Sequence, residues 1–148
     1  MIVYLDTSAL IKQFIAEVDS RAVDQFAATA KIVGTSIISR AEVAAALAKT
    51  ARIGSLRRED ASQALAIFRS HWSRLVRLKV TEALVAKADA LAWEHGLRGY
   101  DAVHLATAAL WQETINEPIT LATFDRQLWQ AGQSIGLSTW PGDFEKLM

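Results

Sequence analysis

Short runs of consecutive apolar residues alternate along this chain with longer stretches in which apolar residues recur every three or four positions. Continuous apolar runs are typical of strands buried on both faces of a parallel sheet, whereas the wider spacing is typical of amphipathic helices. Strands are predicted at 2–5, 32–36, 75–80, 119–124 and 137–140, the last of which ends before Pro141. The pattern therefore predicts a chain in which strands are separated by helices.

Segments in which apolar residues recur with helical spacing lie between these apolar runs. Helices are predicted to start near Thr7, Ser20, Ser39, Arg57, Thr81, Asp101 and Arg126. Gly54 and Gly96 come just after the last periodic residues of two of them, a position in which glycine is common. Strands and helices joined by right-handed crossovers predict an α/β fold, a three-layer α/β/α sandwich on a mostly parallel central sheet.

Length and composition agree with one domain of ordinary size. The 148 residues are 51% hydrophobic, which is enough to bury a core, and we expect a single domain over 1–148. The sequence has no cysteine, and its N-terminus does not resemble a signal peptide. The apolar runs are too short to span a bilayer. We therefore expect a cytoplasmic protein that does not enter a membrane.

Basic residues are concentrated in one part of a chain whose formal net charge is zero. Half of the sixteen lysines and arginines lie between positions 49 and 79, where the only acids are Glu59 and Asp60. Such a stretch can neutralise nucleic-acid phosphates, although charged helices are more commonly just solvated. Both interpretations stay open on charge alone.

Two of the predicted strands end in an aspartate. Asp6 follows the run 2–5, Asp125 follows the run 119–124, and a helix is predicted after each. In open α/β sheets, ligands bind outside the carboxyl ends of the strands, so both carboxylates are expected at that edge. The alternative is that such an acid only caps the following helix.

Two further acids lie at predicted helix starts. Glu42 is the last residue of Ser39-Arg40-Ala41-Glu42, which matches a capping box, and in that interpretation the glutamate only bonds back to the N-cap amide. Asp101 stands at the start of an almost wholly apolar helix that we expect to be buried. Capping is again the alternative for Asp101, because the amides and dipole of a helix start favour an acid.

The candidate site consists of four acids that this architecture is expected to gather on one edge of the sheet: Asp6, Glu42, Asp101 and Asp125. Four neighbouring carboxylates repel one another unless a cation neutralises them or their pKa values rise. All-oxygen sites of this kind suit Mg²⁺ or Mn²⁺. The hydroxyls of Thr7, Ser8 and Thr123 are placed to hold metal-bound waters or carboxylates.

Arg98 and His104 lie close to Asp101 in the sequence. His104 is three residues further on and so on roughly the same helix face, but its neighbours Val103 and Leu105 are apolar. We expect it to be a hydrogen-bonded core histidine rather than a metal ligand. Arg98 is the basic residue nearest a predicted site element and is a candidate for contact with a substrate phosphate.

Four short motifs occur in an order that resembles the PIN domain. They are Leu-Asp-Thr-Ser at 5–8, Ser-x-x-Glu at 39–42, Tyr-Asp-Ala-Val-His-Leu-Ala at 100–106 and Thr-Phe-Asp at 123–125. Each motif is weak alone, but their order and spacing over essentially the whole chain are specific. The sequence is most similar to the VapC-type toxins of prokaryotic toxin–antitoxin pairs.

This resemblance implies a compact α/β/α fold and a metal-dependent endoribonuclease that hydrolyses RNA phosphodiester bonds. It assigns the four acids as the Mg²⁺ or Mn²⁺ site, with Asp6 and Asp101 as the direct ligands and Thr7 and Thr123 as polar support. It also implies a VapB-like antitoxin that holds the protein inactive, and a homodimer.

Other classes of protein also place acids at such an edge. A haloacid-dehalogenase-like phosphotransferase needs a second acid two positions after the first, where this chain has Ser8. A receiver-type domain needs paired acids in the first strand–helix turn, and they are missing here. Two alternatives stay open: a catalytically silent PIN-like module that binds RNA or protein, and a structure-specific DNA nuclease that uses the same site.

Overall fold

Strands and helices follow the predicted order in the computed structural model, which describes residues 1–144. The strands are β1 (Ile2–Leu5), β2 (Ile32–Ser36), β3 (Val76–Leu78), β4 (Ile119–Ala122) and β5 (Ser138–Trp140). The helices are α1 (Thr7–Leu10), α2 (Ser20–Ala28), α3 (Ser39–Arg52), α4 (Arg58–His71), α5 (Glu82–His95), α6 (Gly99–Ile115) and α7 (Arg126–Ser134). Within 1–144, none of the helices combines the length and the apolar character needed to cross a membrane.

The strands of residues 1–144 form one parallel sheet in the order β3-β2-β1-β4-β5. The order runs outward from β1 to β3 and then restarts on the other side of β1 with β4 and β5. The boundary between β1 and β4 is therefore the topological switch point, where open α/β sheets bind their ligands. The predicted α/β/α sandwich is confirmed.

Two apolar clusters cover the two faces of the sheet. Successive strand side chains point to opposite faces. Tyr4 accordingly packs into the cluster that includes α5, α6 and α7, whereas Val3 and Leu5 pack into the cluster that includes α1, α3 and α4. All four residues of β1 are buried, as expected for a central parallel strand covered on both faces.

Hydrogen bonding continues past the ends of the central strands and holds the residues that follow. The backbone N–H of Asp6 donates to the carbonyl of Ala122 at 3.2 Å, and that of Thr123 donates to the carbonyl of Trp140 at 3.1 Å. Asp6 and Thr123 therefore extend neighbouring strands and lie side by side at the carboxyl edge.

The capping box predicted at the start of α3 is wrong. The N-cap position is Ile38, whose apolar side chain cannot cap. The Ser39 hydroxyl is buried and hydrogen bonds to Thr35 Oγ1 at 2.7 Å, and Thr35 donates to the carbonyl of Leu5. Because the Ser39 hydroxyl hydrogen bonds to a residue of β2, no capping box forms, and the Glu42 side chain is free to hydrogen bond elsewhere.

Gly34 in β2 lies directly against the ring of Trp111 in α6. A Cβ at Gly34 would lie 2.6 Å from Cη2 and 2.7 Å from Cζ3 of that buried ring. Gly34→Ala is therefore expected to lower the free energy of unfolding by about 1–3 kcal/mol, because the ring must shift. Urea unfolding measures the loss, with Gly99→Ala as the control, since a Cβ at Gly99 meets no atom within 4 Å. Equal stability of the two variants would contradict the steric argument.

Candidate active site

A cavity of about 320 Å³ opens at the carboxyl edge of the sheet. It is lined by Asp6, Thr7, Ser8, Glu42, Ala45, Ala46, Arg98, Tyr100, Asp101, His104 and Asp125. The four acids predicted from sequence come from the end of β1, α3, α6 and the start of α7, yet all of them line this one cavity. The fold thus brings together acids that are far apart in the chain.

Asp6 is almost fully buried, with 3% of its surface exposed. Its Oδ1 accepts hydrogen bonds from Ser8 Oγ at 2.7 Å and from the backbone N–H of Ala9 at 2.9 Å, and its Oδ2 accepts one from Thr123 Oγ1. Asp6 therefore caps α1 as well as lining the cavity. Burial raises the pKa of Asp6 above its ordinary value, although the His104 imidazole and the hydrogen bonds act to lower it.

Arg98 bridges two of the acids. Its Nε donates to Asp101 Oδ2 and its Nη2 donates to Asp125 Oδ2, each at 2.9 Å. The guanidinium carbon also lies 4.9 Å from the centroid of the Tyr100 ring. This places a positive charge from the chain itself between two carboxylates of the candidate site.

Asp101 and Asp125 occupy different positions at the starts of their helices. Asp101 lies in the first turn of α6, where the helix dipole favours an acid, but the N-cap is Arg98 and Asp101 does not occupy that position. Asp125 is the N-cap of α7 and accepts a hydrogen bond from the backbone N–H of Leu128. Burial raises the pKa of Asp101, the hydrogen bond from Arg98 lowers it, and the charges of Asp125 and Asp6 raise it, which leaves it above the ordinary value.

Glu42 is linked through His104 to the centre of the sheet. His104 Nε2 lies 2.7 Å from Glu42 Oε1, Thr7 Oγ1 donates to the same Oε1 at 2.8 Å, and His104 Nδ1 lies 2.7 Å from the Tyr4 hydroxyl. Burial would raise the pKa of Glu42, but the hydrogen bonds from His104 and Thr7 and the attraction of the imidazole hold it below the ordinary value. The prediction that His104 is a hydrogen-bonded core histidine is confirmed, since it is 1% exposed.

Two features of the site do not follow from the sequence analysis. The contact of His104 with Glu42 joins residues 62 positions apart, and Tyr4, which contacts His104, is not among the predicted site residues. The available signal was that each is a polar-tipped side chain in an otherwise apolar element, and such buried groups need hydrogen-bond partners. Contact of Arg98 with a substrate phosphate stays a prediction.

The chemistry of the donor atoms suits a hard divalent cation. Carboxylate oxygens of four acids line the cavity, and hydroxyls support two of them. Within residues 1–144, however, no group of three or more His, Asp or Glu side chains is arranged to hold a metal ion. The contacts of Arg98 with Asp101 and Asp125 give a reason, because a cation that used both acids would have to displace the guanidinium.

Asp6→Asn is expected to gain stability over the wild type as the pH rises in buffer with EDTA. A carboxyl whose native pKa is raised contributes stability that is fully present below its ordinary pKa, here 3.8, and is lost as the pH rises through the native value. Asparagine does not ionise and so does not incur this loss. Urea unfolding over a pH series measures the difference, with the exposed Asp89→Asn as the control; a difference that falls with pH would contradict the argument.

A family model described as the PIN domain matches residues 3–132 of this chain. The matched span contains all four acids of the cavity together with Arg98 and His104. Among curated proteins, ribonuclease VapC45 of Mycobacterium tuberculosis (strain CDC 1551 / Oshkosh) is 29% identical over 145 residues, which cover 97% of this chain and 98% of the relative.

Solved structures with a similar fold include one from Pyrobaculum aerophilum and one from Klebsiella pneumoniae. PAE2754 from Pyrobaculum aerophilum matches with a TM-score of 0.65 at 23% identity, over 99% of this chain and 98% of that one. A toxin–antitoxin complex from Klebsiella pneumoniae matches with a TM-score of 0.61 at 22% identity, over 83% of this chain and 86% of that one. Likeness at these identities establishes the fold.

Proposed function

Because this chain belongs to the PIN domain family, we propose that it is a metal-dependent endoribonuclease that hydrolyses RNA phosphodiester bonds. The observation that carries the proposal is the single cavity that four carboxylates line at the switch point of the sheet. The M. tuberculosis relative, which matches 97% of this chain, is named a ribonuclease, and this name supports RNA as the substrate class.

Asp6 and Asp101 are the proposed direct ligands of Mg²⁺ or Mn²⁺, with Glu42 and Asp125 completing the site. The raised pKa values of Asp6 and Asp101 support this. Burial makes the ionised form of each acid costly, and a bound cation would offset that cost. A divalent cation supplies a bound water of lowered pKa and offsets charge that develops on the phosphodiester. Hydrolysis of this kind leaves a 5′-phosphate and a 3′-hydroxyl.

Side chains around the acids fix them before a substrate arrives. Ser8 and Thr123 hold opposite oxygens of Asp6, and Thr7 holds one oxygen of Glu42. Such supporting contacts orient ligands and raise their affinity. Arg98, with 60% of its side chain exposed, is the cation available to meet a substrate phosphate once it leaves its acidic partners.

The protein is further proposed to be the toxin of a VapBC-type pair, held inactive by a VapB-like antitoxin and forming a homodimer. The VapC name of the M. tuberculosis relative and the description of the K. pneumoniae structure as a toxin–antitoxin complex support this partner. Residues 1–148 would act as a single nuclease domain. We further propose a cytoplasmic location, where RNA is present as a substrate.

Cleavage of single-stranded RNA by the purified, antitoxin-free protein tests the proposal. We expect products with 5′-phosphates when Mn²⁺ is present and no products when EDTA replaces it. A DNA of the same sequence is the parallel substrate. Binding of RNA without cleavage in Mn²⁺ would favour the silent binding module, and cleavage of structured DNA alone would favour the DNA nuclease.

A further inference from the structure

A chain of hydrogen bonds runs from the centre of the sheet to one acid of the cavity, through Tyr4, His104 and Glu42. We propose that His104 is a positioning residue of this site: anchored by Tyr4, its imidazole donates Nε2–H to Glu42 and holds that carboxylate ready for a cation or a cation-bound water. The inference rests on the proposed nuclease function and adds a role for a residue outside the four acids.

The ring of His104 lies between Tyr4 and Glu42, and its Nε2 also lies 3.3 Å from Thr7 Oγ1. Its two nitrogens each lie 2.7 Å from an oxygen, Nδ1 from Tyr4 and Nε2 from Glu42. The Tyr4 and His104 rings also meet edge to face, with centroids 5.8 Å apart and planes at 67°. Tyr4 is wholly buried in the central strand and His104 is 1% exposed, so both side chains are packed inside the protein.

The proton arrangement makes Nε2 the donor to Glu42. An ionised carboxylate can only accept a hydrogen bond, so the contact with Glu42 requires the ring hydrogen on Nε2, and a neutral ring then leaves Nδ1 bare to accept from the Tyr4 hydroxyl. If the ring takes a second proton, Nδ1 donates to the Tyr4 oxygen and Nε2 keeps its hydrogen. The Nε2–H therefore faces Glu42 Oε1 in either charge state, and the link does not depend on the titration of the ring.

Both supports of Glu42 act on the same carboxylate oxygen. His104 Nε2 and Thr7 Oγ1 contact Oε1, at 2.7 Å and 2.8 Å. Among the side-chain hydrogen bonds of residues 1–144, these two are the ones that Glu42 accepts, so Oε2 is left for a ligand in the cavity. A histidine that only filled the core would not need to place its polar edge on an acid that lines a cavity.

Paired substitutions at position 104 separate positioning from packing. His104→Leu removes the donor, whereas His104→Gln can place an amide N–H close to the position of Nε2. We expect His104→Leu to weaken Mn²⁺ binding, measured by calorimetry, by about 10–100-fold, the usual effect of losing a contact that orients a ligand. His104→Gln is expected to recover most of the affinity, and Tyr4→Phe to lie between them.

Thermal unfolding of each variant shows whether it is folded, and Tyr4→Phe provides a nearly isosteric test if His104→Leu does not fold. Wild-type Mn²⁺ affinity in a folded His104→Leu protein would overturn the positioning role. Equal losses in His104→Leu and His104→Gln would also overturn it, because packing alone would then explain the effect.

Nitrogen-15 NMR of the His104 ring provides a readout that needs neither metal nor RNA. We expect Nε2 to carry the ring hydrogen at neutral pH, and a bare Nε2 would overturn the inference. A wild type that neither binds Mn²⁺ nor cleaves RNA would overturn the proposed function itself. Loss of the glutamine rescue in an active wild-type background would overturn only the role of His104.

Discussion

Asp101→Asn is expected to reduce Mn²⁺-dependent RNA cleavage by about 100–1000-fold while the protein stays folded. The amide preserves the shape of the side chain but removes the charge of a proposed direct ligand, and loss of one group that stabilises a transition state typically has this effect. Arg98 retains Asp125 as its partner, so the ion pair at the cavity is only partly lost. Initial rates on a fluorescent single-stranded RNA measure the change.

Asp89→Asn is the matched control, because Asp89 is an exposed acid of α5 that does not line the cavity. Asp6→Asn is expected to lose cleavage as Asp101→Asn does. Calorimetry with Mn²⁺ should show that binding is lost along with activity in both. If Asp101→Asn cleaved RNA at the wild-type rate, Asp101 would not be part of the catalytic site; if either variant unfolded outright, a structural role for that acid would gain support.

Arg98→Gln is expected to raise the affinity of the metal-free protein for Mn²⁺ by about tenfold. The guanidinium donates to Asp101 and Asp125, so a divalent cation that uses either acid meets a positive charge nearby. Two unit charges about 4 Å apart repel by about 1 kcal/mol even in bulk water, and the cation carries two charges. The ion pairs of Arg98 are partly exposed, so breaking them costs little free energy.

Calorimetry on Arg98→Gln, Arg98→Lys and the wild type measures this competition. The lysine variant keeps the charge and should bind Mn²⁺ about as the wild type does. Arg21→Gln, at an exposed position of α2, is the control for a general change in net charge. Weaker Mn²⁺ binding in Arg98→Gln would show that the arginine helps to form the site instead of competing with the metal.

The edge of the sheet that carries the site follows from features that are local in the sequence. The run 2–5 is apolar at every position and ends abruptly at Asp6, which is what a strand buried on both faces requires when its end reaches an open edge. The run 119–122 repeats this arrangement ahead of Thr123. Because parallel strands share a carboxyl edge, the convergence of these residues could be predicted without knowing any distance.

Contacts between distant residues could not be predicted in this way. The spacing of Ser39 and Glu42 fits a capping box, but the hydroxyl of Thr35 competes successfully for Ser39 because both side chains are buried at the end of β2. Glu42 then finds His104, 62 residues away, and no periodicity in the sequence specifies that meeting. Tertiary packing therefore determines the hydrogen-bond partners of Ser39 and Glu42, and they differ from the partners that the local sequence pattern indicates.

Arg98 illustrates the same limit for charge. Its distance of three residues from Asp101 places both in one turn at the start of α6, which a sequence can indicate. Its second partner, Asp125, is 27 residues away and depends on how α6 and α7 meet at the sheet edge. The closeness of Arg98 to Asp101 was therefore predictable, whereas its contact with Asp125 was not.

The hydrogen bond between Thr123 and Asp6 joins residues 117 positions apart. Synthesis proceeds from the N-terminus, so the first acid of the cavity leaves the ribosome long before the side chains that orient it and complete its surroundings. A nascent chain cannot assemble the cavity until about residue 125 has emerged. For an enzyme proposed to cut RNA, we expect no activity from a nascent chain whose Asp125 has not yet emerged from the ribosome.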